Sequence, residues 1–223
     1  MDKVREDSLV IIPKPEYISW EDITKLLHMG YSERAEEGLN YSATNQSIEK
    51  TIARVGDGVC LVALLDGKLI GTESYNLIKK KNLKWKRWYQ DKEYYYLHSL
   101  TVHPDYKRRG IGLKIRNYIR DEAIKKGVGS LISDTSEDAK WLIDWYDRLG
   151  HKKVGYLSHS STNYYSVVMR TPISGKKYSE GYRKFRLFLS FLFIRLILKK
   201  NGEWRFIGKV AEKAYRALFL KNK

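Results

Sequence analysis

The feature that most constrains this chain is a strand, turn and helix pattern between residues 94 and 126. An apolar strand at 94–102 runs into the turn KRRGIG at 107–112, and a helix pattern of about four turns follows. The start of a helix leaves backbone N–H groups unpaired and carries partial positive charge. Glycine has no Cβ, so an anion can approach the main chain closely there. This order predicts a site for a diphosphate beside the end of a strand.

The wider sequence around this turn carries a family resemblance. The glycines alone form neither a three-glycine dinucleotide fingerprint nor a P-loop, because no Gly-Lys-Ser/Thr follows. The stretch LHSLTVHPDYKRRGIG, at 97–112, resembles motif A of the GNAT superfamily of acyl-CoA N-acyltransferases. The family pattern is Gln/Arg-x-x-Gly-x-Gly/Ala, and Lys107 keeps the charge at the Gln/Arg position. The resemblance covers residues 5–172.

A second match to the same family lies downstream, at the end of a predicted helix. The stretch WYDRLGHKKVG, at 145–155, resembles the family's Tyr-x-x-x-Gly-Phe helix end. His151 stands where the family usually has Phe, and Ala139 stands where it often has Asn. The resemblance implies direct acyl transfer from acetyl-CoA as co-substrate, with no metal and no covalent enzyme intermediate.

The remaining pattern predicts an α/β (α+β) fold. Strands are expected at 9–12, 59–65, 68–77, 94–102, 130–134, 154–158 and 164–169, and helices at 19–27, 47–53, 110–126 and 139–149. Hairpin signals such as Asp66-Gly67 imply antiparallel pairing, whereas the alternating order after Gly110 implies some parallel pairing. We expect a mixed, mostly antiparallel central sheet flanked by helices, as the resemblance also implies. Residues 1–172 form the predicted acyltransferase domain, and residues 173–223 form a basic, apolar helical extension.

The resemblance also implies where acetyl-CoA binds. Backbone amides of Leu100, Thr101 and Val102 would pair with the pantetheine arm. The diphosphate would lie against the turn and the helix start, formed by Lys107, Arg108, Arg109, Gly110, Ile111, Gly112 and Leu113.

His98 is the candidate general base. A neutral imidazole is abundant near neutral pH, and the family carries a base at this strand position. Alternation along the strand places five side chains on one face: Tyr94, Tyr96, His98, Leu100 and Val102. Tyr96 could then share a water-mediated proton path with His98. The alternative is a half-buried histidine that only hydrogen-bonds a neighbouring strand.

Tyr146 is the candidate general acid. The resemblance places the Tyr that lies four residues before the helix-ending Gly150 beside the CoA sulfur, where a phenol can donate a proton to the leaving thiolate. The alternative is a packing aromatic on an amphipathic helix with Trp141, Trp145 and Leu149.

Charge and cysteine content narrow the partners and the compartment. The net charge of +16 implies an anionic partner, which could be CoA phosphates, nucleic acid or a membrane surface. The basic aromatic segment at 79–89 suits a substrate lid or a solvated hairpin, and no nucleic-acid-binding motif accompanies it. The single Cys60 excludes a disulfide framework, and the first residues lack an apolar signal segment. We expect a cytoplasmic protein, or one peripheral to the inner face of the membrane.

The tail contains the apolar run FRLFLSFLFIRLIL at 185–198. It is shorter than the roughly 20 residues that span a bilayer, and two arginines interrupt it. A second helix is predicted at 204–220. Two interpretations stay open: an interfacial helix hairpin on anionic lipid, or a helical extension packed on the domain or on a second subunit of a homodimer.

These observations predict an N-acetyltransferase that transfers an acetyl group to a primary amine of a small molecule or a protein. Two alternatives stay open. One is a non-catalytic membrane-peripheral or nucleic-acid-binding module on the same fold. The other is an acyltransferase that uses a longer acyl donor.

Overall fold

The computed structural model describes residues 8–79, 91, 93–175, 177–206 and 208–210. Most of the predicted basic segment at 79–89, and the part of the predicted tail helix beyond residue 210, lie outside these residues. The helices are α1 (Trp20–Glu36), α2 (Ile48–Val55), α3 (Ile111–Lys125), α4 (Lys140–Arg148) and α5 (Glu180–Ile197). The strands are β1 (Leu9–Pro13), β2 (Val59–Leu65), β3 (Lys68–Lys79), β4 (Glu93–Val102), β5 (Ser130–Ser136), β6 (Lys152–Ser158) and β7 (Tyr165–Pro172).

Within the described residues, seven strands form one sheet in the order β1-β2-β3-β4-β5-β7-β6. The pairs β1/β2, β2/β3, β3/β4 and β6/β7 are antiparallel, and β4/β5 is parallel. The mixed, mostly antiparallel sheet with flanking helices confirms the predicted fold class. None of the helices in the described ranges has both the length and the apolarity needed to cross a membrane.

The chain divides into two compact units. The first comprises residues 1–133 and 171–177, and the second comprises 134–170 and 178–223. The first contains β1 to β4, α1 to α3 and the start of β5, whereas the second contains α4, β6 and most of β7 together with α5. The tail helix α5 therefore belongs to the same unit as β6 and β7, on which it packs.

The core of the first unit lies under α3. Apolar residues at four-residue spacing put one face of this helix on the sheet, where Ile111, Ile115, Ile119 and Ala123 are buried. They pack in one cluster with strand residues that include Leu61, Ile70 and Leu97. Burial of this face fixes α3, and hence the turn that precedes it, on the strands.

Helix α1 extends to Glu36, well beyond the predicted end near Leu27. Ser19 and Asp22 form a capping box at its start, and its apolar spacing continues through the buried Tyr31. A Cβ on Gly30 would lie 1.6 Å from Oγ1 of Thr101 in β4. Only glycine permits this approach. Glycine has a low intrinsic helix propensity, and the contact with Thr101 stabilises α1 at this position.

Helix α5 packs on β6 through polar and apolar groups. The backbone N–H of Tyr156 donates to Oγ of Ser190 over 2.8 Å, and Nη1 of Arg183 donates to the carbonyl of Lys153 over 2.9 Å. A Cβ on Gly155 would lie 3.3 Å from Ser190 Oγ, so the helix and the strand meet closely there. Ser190 and Ile194 are the buried residues of the helix.

A buried ion pair links α3 to β3. Nη2 of Arg116 lies 2.7 Å from Oε1 of Glu73, and both side chains are almost completely shielded from solvent. Burial raises the pKa of Glu73 to about 7, although the Arg116 guanidinium acts in the opposite direction. The native state therefore holds a proton at Glu73 more tightly than the unfolded chain does.

This shift predicts a pH-dependent stability. A raised pKa in the folded state stabilises the protein below the unfolded value of 4.5, and this contribution is lost as the pH rises through about 7. The loss for this buried group is on the order of 3 kcal/mol. Urea unfolding from about pH 5 to about pH 8 should show the fall in wild type. Glu73→Gln should abolish it.

Glu21→Gln is the matched control, because Glu21 forms an exposed pair with Lys25. This variant should keep the wild-type pH dependence. An unchanged pH dependence in Glu73→Gln would contradict the assignment of the shift to Glu73.

Candidate active site

A bulge in β4 organises this region of the first unit. The register on its two sides is set by two pairs, Ser74 with His98 and Thr72 with Thr101. Glu73 therefore faces both Ser99 and Leu100, and Ser99 takes a left-handed backbone conformation with φ 60°. An extra residue of this kind reverses the alternation of side chains along the strand.

The bulge corrects one sequence prediction. Leu100 and Val102 pack against the core cluster on the α3 side, together with Leu97. They are thus not on the face of His98, as strict alternation had predicted. Thr101 instead points to the opposite side, where it contacts Gly30 of α1. The prediction was wrong because it assumed that every residue of β4 pairs with one residue of β3. The bulge inserts one residue that has no partner, so the side chains after it change sides.

The second half of β4 also has an open edge. The described pairs between β4 and β5 are Tyr94 with Ser130, Tyr95 with Leu131 and Tyr96 with Ile132. They stop before Leu97, although β4 continues to Val102 beside β3. From Leu97 to Val102, the backbone groups of β4 that face β5 therefore belong to none of these described pairs. This is where the sequence predicts that Leu100, Thr101 and Val102 contact an extended pantetheine arm.

The turn after β4 is where the sequence predicts an anion cradle. Arg108 has φ 62° and Gly110 has φ 81°, both left-handed, and α3 begins at Ile111 with no side-chain cap at Gly110. The N–H of Lys114 donates to the carbonyl of Gly110 over 3.0 Å, so the amides of residues 111–113 precede the first helical hydrogen bond. Amides at such a helix start, after residues in left-handed conformation, are suited to an anion.

The three cations of the turn have different surroundings. Nζ of Lys107 lies 2.7 Å from the carboxylate of Glu33, so this side chain ties the turn to α1. The guanidinium of Arg109 lies 5.4 Å from the ring centroid of Tyr106. Arg108, Arg109 and Gly110 are exposed. A diphosphate would thus meet Arg108 and Arg109 directly, whereas a contact with Lys107 Nζ would compete with Glu33.

His98 is buried and lies between two side-chain partners. Its Nε2 is 2.8 Å from Oδ1 of Asn76, and its Nδ1 is 3.1 Å from Oγ of Ser99. Asn76 donates its amide N–H to the carbonyl of Val55 over 2.7 Å. A carbonyl can only accept, so this bond fixes the orientation of the Asn76 amide and leaves its oxygen facing His98.

The orientation of Asn76 determines the tautomer of His98. Since an amide oxygen accepts, Nε2 of neutral His98 must carry the hydrogen. The basic lone pair is then on Nδ1, where it accepts from the Ser99 hydroxyl. The bulge residue Ser99 therefore hydrogen-bonds the basic nitrogen of the candidate base. A proton that reaches Nδ1 must approach from the side of Ser99.

The His98 cleft lies beside this histidine in the first unit and has a volume of about 480 Å³. The side chains that line it are Arg54, Asp57, Asn76, Leu77, Ile78, Tyr96 and His98. The rings of Tyr96 and His98 are stacked with centroids 6.0 Å apart. His98 and Tyr96 are candidates in the sequence, whereas Asn76, Arg54 and Asp57 were missed. Asn76 is one of several polar residues in β3, so no local signal distinguished it.

Tyr146 lies in the second unit, on α4. It is 5% exposed, and its ring contacts Trp145 and His151 at centroid distances of 5.2 and 5.6 Å. The N–H of His151 donates to the carbonyl of Tyr146 over 3.0 Å, and Gly150 closes the helix with φ 84°. His151, which replaces the family's Phe, is thus a buried ring against the candidate acid.

Within the described ranges, no group of three or more His, Cys, Asp or Glu side chains could hold a metal ion. The acetyltransferase (GNAT) family matches residues 20–151, which is more than half of the chain. The chain belongs to the GNAT acetyltransferase family. No curated protein matches it by sequence.

Solved structures with GNAT folds resemble the chain over most of their length. The ribosomal-protein-S18-alanine N-acetyltransferase from Escherichia coli is 17% identical with a TM-score of 0.54, over 76% of this chain and 96% of that one. A putative acetyltransferase from Salmonella typhimurium, solved with its cofactor acetyl-CoA, is 15% identical with a TM-score of 0.56, over 77% and 98%. An aminoglycoside 6'-acetyltransferase type Ii is 17% identical with a TM-score of 0.53, over 75% and 99%. At these identities the likeness concerns the fold.

The cradle geometry gives a prediction with a built-in control. Gly110→Ala places a side chain in a left-handed position at the start of α3, which costs roughly 1–2 kcal/mol, and it also puts a Cβ at the predicted anion site. Gly127→Ala introduces the same backbone strain just after the other end of α3, with φ 63° and equally open surroundings. Both variants should lose similar stability in thermal unfolding.

Only Gly110→Ala should weaken CoA binding in calorimetry, by at least about tenfold, because only its Cβ faces the predicted diphosphate. Equal CoA affinities for the two variants would show that the turn is not the anion site.

Proposed function

We propose that this GNAT protein transfers the acetyl group of acetyl-CoA to a primary amine that binds in the His98 cleft. The observation that carries the proposal is the arrangement of one continuous segment, residues 98–113. A histidine with a defined tautomer lines the cleft, an open strand edge follows, and an uncapped helix start completes the segment. Acyl transfer from a nucleotide-linked thioester to an amine needs these three parts.

Acetyl-CoA supplies the activated thioester when it is bound. The backbone groups of Leu100, Thr101 and Val102 on the open edge of β4 would hold the pantetheine arm. The diphosphate would contact the amides from Gly110 to Leu113, with Arg108 and Arg109 adding charge. The Salmonella structure with its cofactor acetyl-CoA supports this choice of donor.

The reaction requires a neutral amine, because an ammonium ion has no lone pair. Nδ1 of His98 takes the amine proton, through the Ser99 hydroxyl or a water at the same place. The amine nitrogen then forms a bond to the acetyl carbonyl carbon, and the carbon–sulfur bond breaks. The sulfur leaves as a thiolate and receives a proton from the hydroxyl of Tyr146. The second proton, which the nitrogen loses as the amide forms, passes through solvent and restores this hydroxyl. Asn76 keeps Nε2 protonated throughout and so maintains Nδ1 as the base.

The charged residues of the cleft indicate which kind of amine acceptor it would bind. Asp57 places a carboxylate at its lining and Arg54 a guanidinium, so the lining has charges of both signs. A protonated amine would be attracted by Asp57 before it loses its proton, and an anionic group elsewhere on the acceptor would pair with Arg54. Two structural relatives are named as N-acetyltransferases of a ribosomal-protein alanine and of an aminoglycoside. Both a protein amine and a small-molecule amine remain within the proposed acceptor class.

The direct test measures thiol release from acetyl-CoA with a panel of primary amines. Wild type should turn over, and His98→Ala should lower the rate by about 10²–10⁴-fold near neutral pH. The deficit should shrink at high pH, where free amine is abundant without a base.

His28→Ala is the matched control for the base assignment, since His28 bonds the carbonyl of Gln46 and is not among the residues lining the His98 cleft. Its rate should stay near that of wild type. CoA binding without turnover for any amine would favour a non-catalytic module, and faster release from a longer acyl-CoA would favour a different donor.

Tyr146→Phe tests the proton donor. The variant keeps the ring contacts with Trp145 and His151 and removes only the hydroxyl. Turnover should fall by at least about 10²-fold while acetyl-CoA affinity stays unchanged, because the hydroxyl acts on the leaving sulfur. Tyr156→Phe, in β6 of the same unit, should keep its turnover. If the turnover of Tyr146→Phe falls by less than a few-fold, Tyr146 is not the proton donor and acts only by positioning its neighbours.

A further inference from the structure

Helix α5 presents most of its large apolar side chains to solvent. Seven of them lie on the outward side with exposed fractions from 39% for Leu192 to 60% for Phe185: Tyr182, Phe185, Phe188, Leu189, Leu192, Phe193 and Leu196. A helix on the surface of a protein in water normally shows the opposite arrangement, with its apolar stripe toward the core. The outward face of α5 thus needs a cover other than water.

The inward face of α5 is already in use and makes both polar and apolar contacts, with Ser190 and Ile194 buried. Ser190 accepts from the backbone of Tyr156, and Arg183 donates to the carbonyl of Lys153. Arg195 pairs with Glu137, and its guanidinium lies 3.6 Å from the ring centroid of Phe191. These contacts set the rotation of the helix about its axis. The exposed apolar residues are therefore held outward by specific bonds.

The outward face forms one uninterrupted apolar arc. At about 100° per residue, the arc runs from Phe188 to Phe193 through roughly 140° and contains no charged side chain. Lys184 lies beyond the Phe188 border and Arg186 lies beyond the Phe193 border. Both are in the first half of the helix, and the Lys184 side chain is 70% exposed. Cations therefore flank the apolar surface on both sides.

The segment after α5 continues the same pattern. An isolated bridge joins Leu198 to Trp204, and Phe206 and Val210 then follow with exposed fractions of 82% and 54%. Residues 180–210 include two acidic residues, Glu180 and Glu203. The same range contains eight basic residues: Arg183, Lys184, Arg186, Arg195, Lys199, Lys200, Arg205 and Lys209. The surroundings of the apolar arc are thus strongly basic.

We propose that α5 is an interfacial membrane anchor, whose apolar arc enters an anionic lipid surface while the flanking Lys and Arg side chains contact the headgroups. Apolar burial together with a surrounding of cations is the combination that binds such helices to anionic bilayers. A second copy of the chain would bring its own cations against these cations, on a protein whose net charge is +16. Charge complementarity therefore favours lipid. This inference does not depend on the proposed acetyl transfer.

Flotation of the full chain with vesicles tests the anchor. Phosphatidylcholine vesicles with about 30% phosphatidylserine should carry the wild-type protein upward, and the bound fraction should fall as salt rises. Vesicles of phosphatidylcholine alone should bind at least about tenfold less. Phe185→Ser/Leu192→Ser should lose at least about tenfold of the binding with no change in thermal stability, because both side chains point outward.

Met29→Ser/Ile52→Ser is the matched control, because these apolar residues are equally exposed, at 42% each, in the first unit. It should float like wild type. Equal flotation of the two double variants would overturn the proposal, and so would failure of the wild type to float. A soluble dimer that Phe185→Ser/Leu192→Ser converts to a monomer, with no binding to vesicles, would assign the face to a second copy.

Discussion

The bulge at Ser99 is the constraint on which the candidate site depends. One extra residue in β4, directly after His98, leaves this histidine on the cleft side with Tyr96 and sends Leu100 and Val102 to the α3 side. It also sets a hydroxyl against the imidazole nitrogen that we propose as the proton acceptor. A regular strand would change the position of this imidazole relative to the backbone predicted to bind pantetheine. The energetic cost of a left-handed serine is thus tied to the chemistry proposed for the site.

Much of the fold could be predicted because its signals are local. The Asp66-Gly67 turn, the isoleucine spacing of α3 and the glycine that begins this helix each specify structure within a few residues. The same segments also predicted a sheet with both parallel and antiparallel strands, and they carry the family resemblance. The identities of His98 and Tyr146 as candidates came from the resemblance, since no local signal distinguishes a catalytic histidine from a structural one.

The parts that escaped prediction depend on long-range contacts. Asn76 fixes the tautomer of His98 only because Val55 and His98 meet it from different elements. The bulge leaves no signature in a chain of alternating residues. No local signal in the apolar run of the tail marked which face would be buried, and the buried residues of α5 are Ile194 and a polar one, Ser190, which bonds β6. Which face of α5 points inward is decided by the strand that receives it.

The register of the β3–β4 hairpin has an evolutionary consequence. It is set inside the strands, by the pairing of Ser74 with His98 and of Asn76 with Tyr96, at a distance along the chain from the connection at 80–92. Changes in the length or composition of that connection therefore leave the position of the histidine untouched. Descendants of this chain could therefore vary in this connection while inheriting the same pairing of His98 with Asn76.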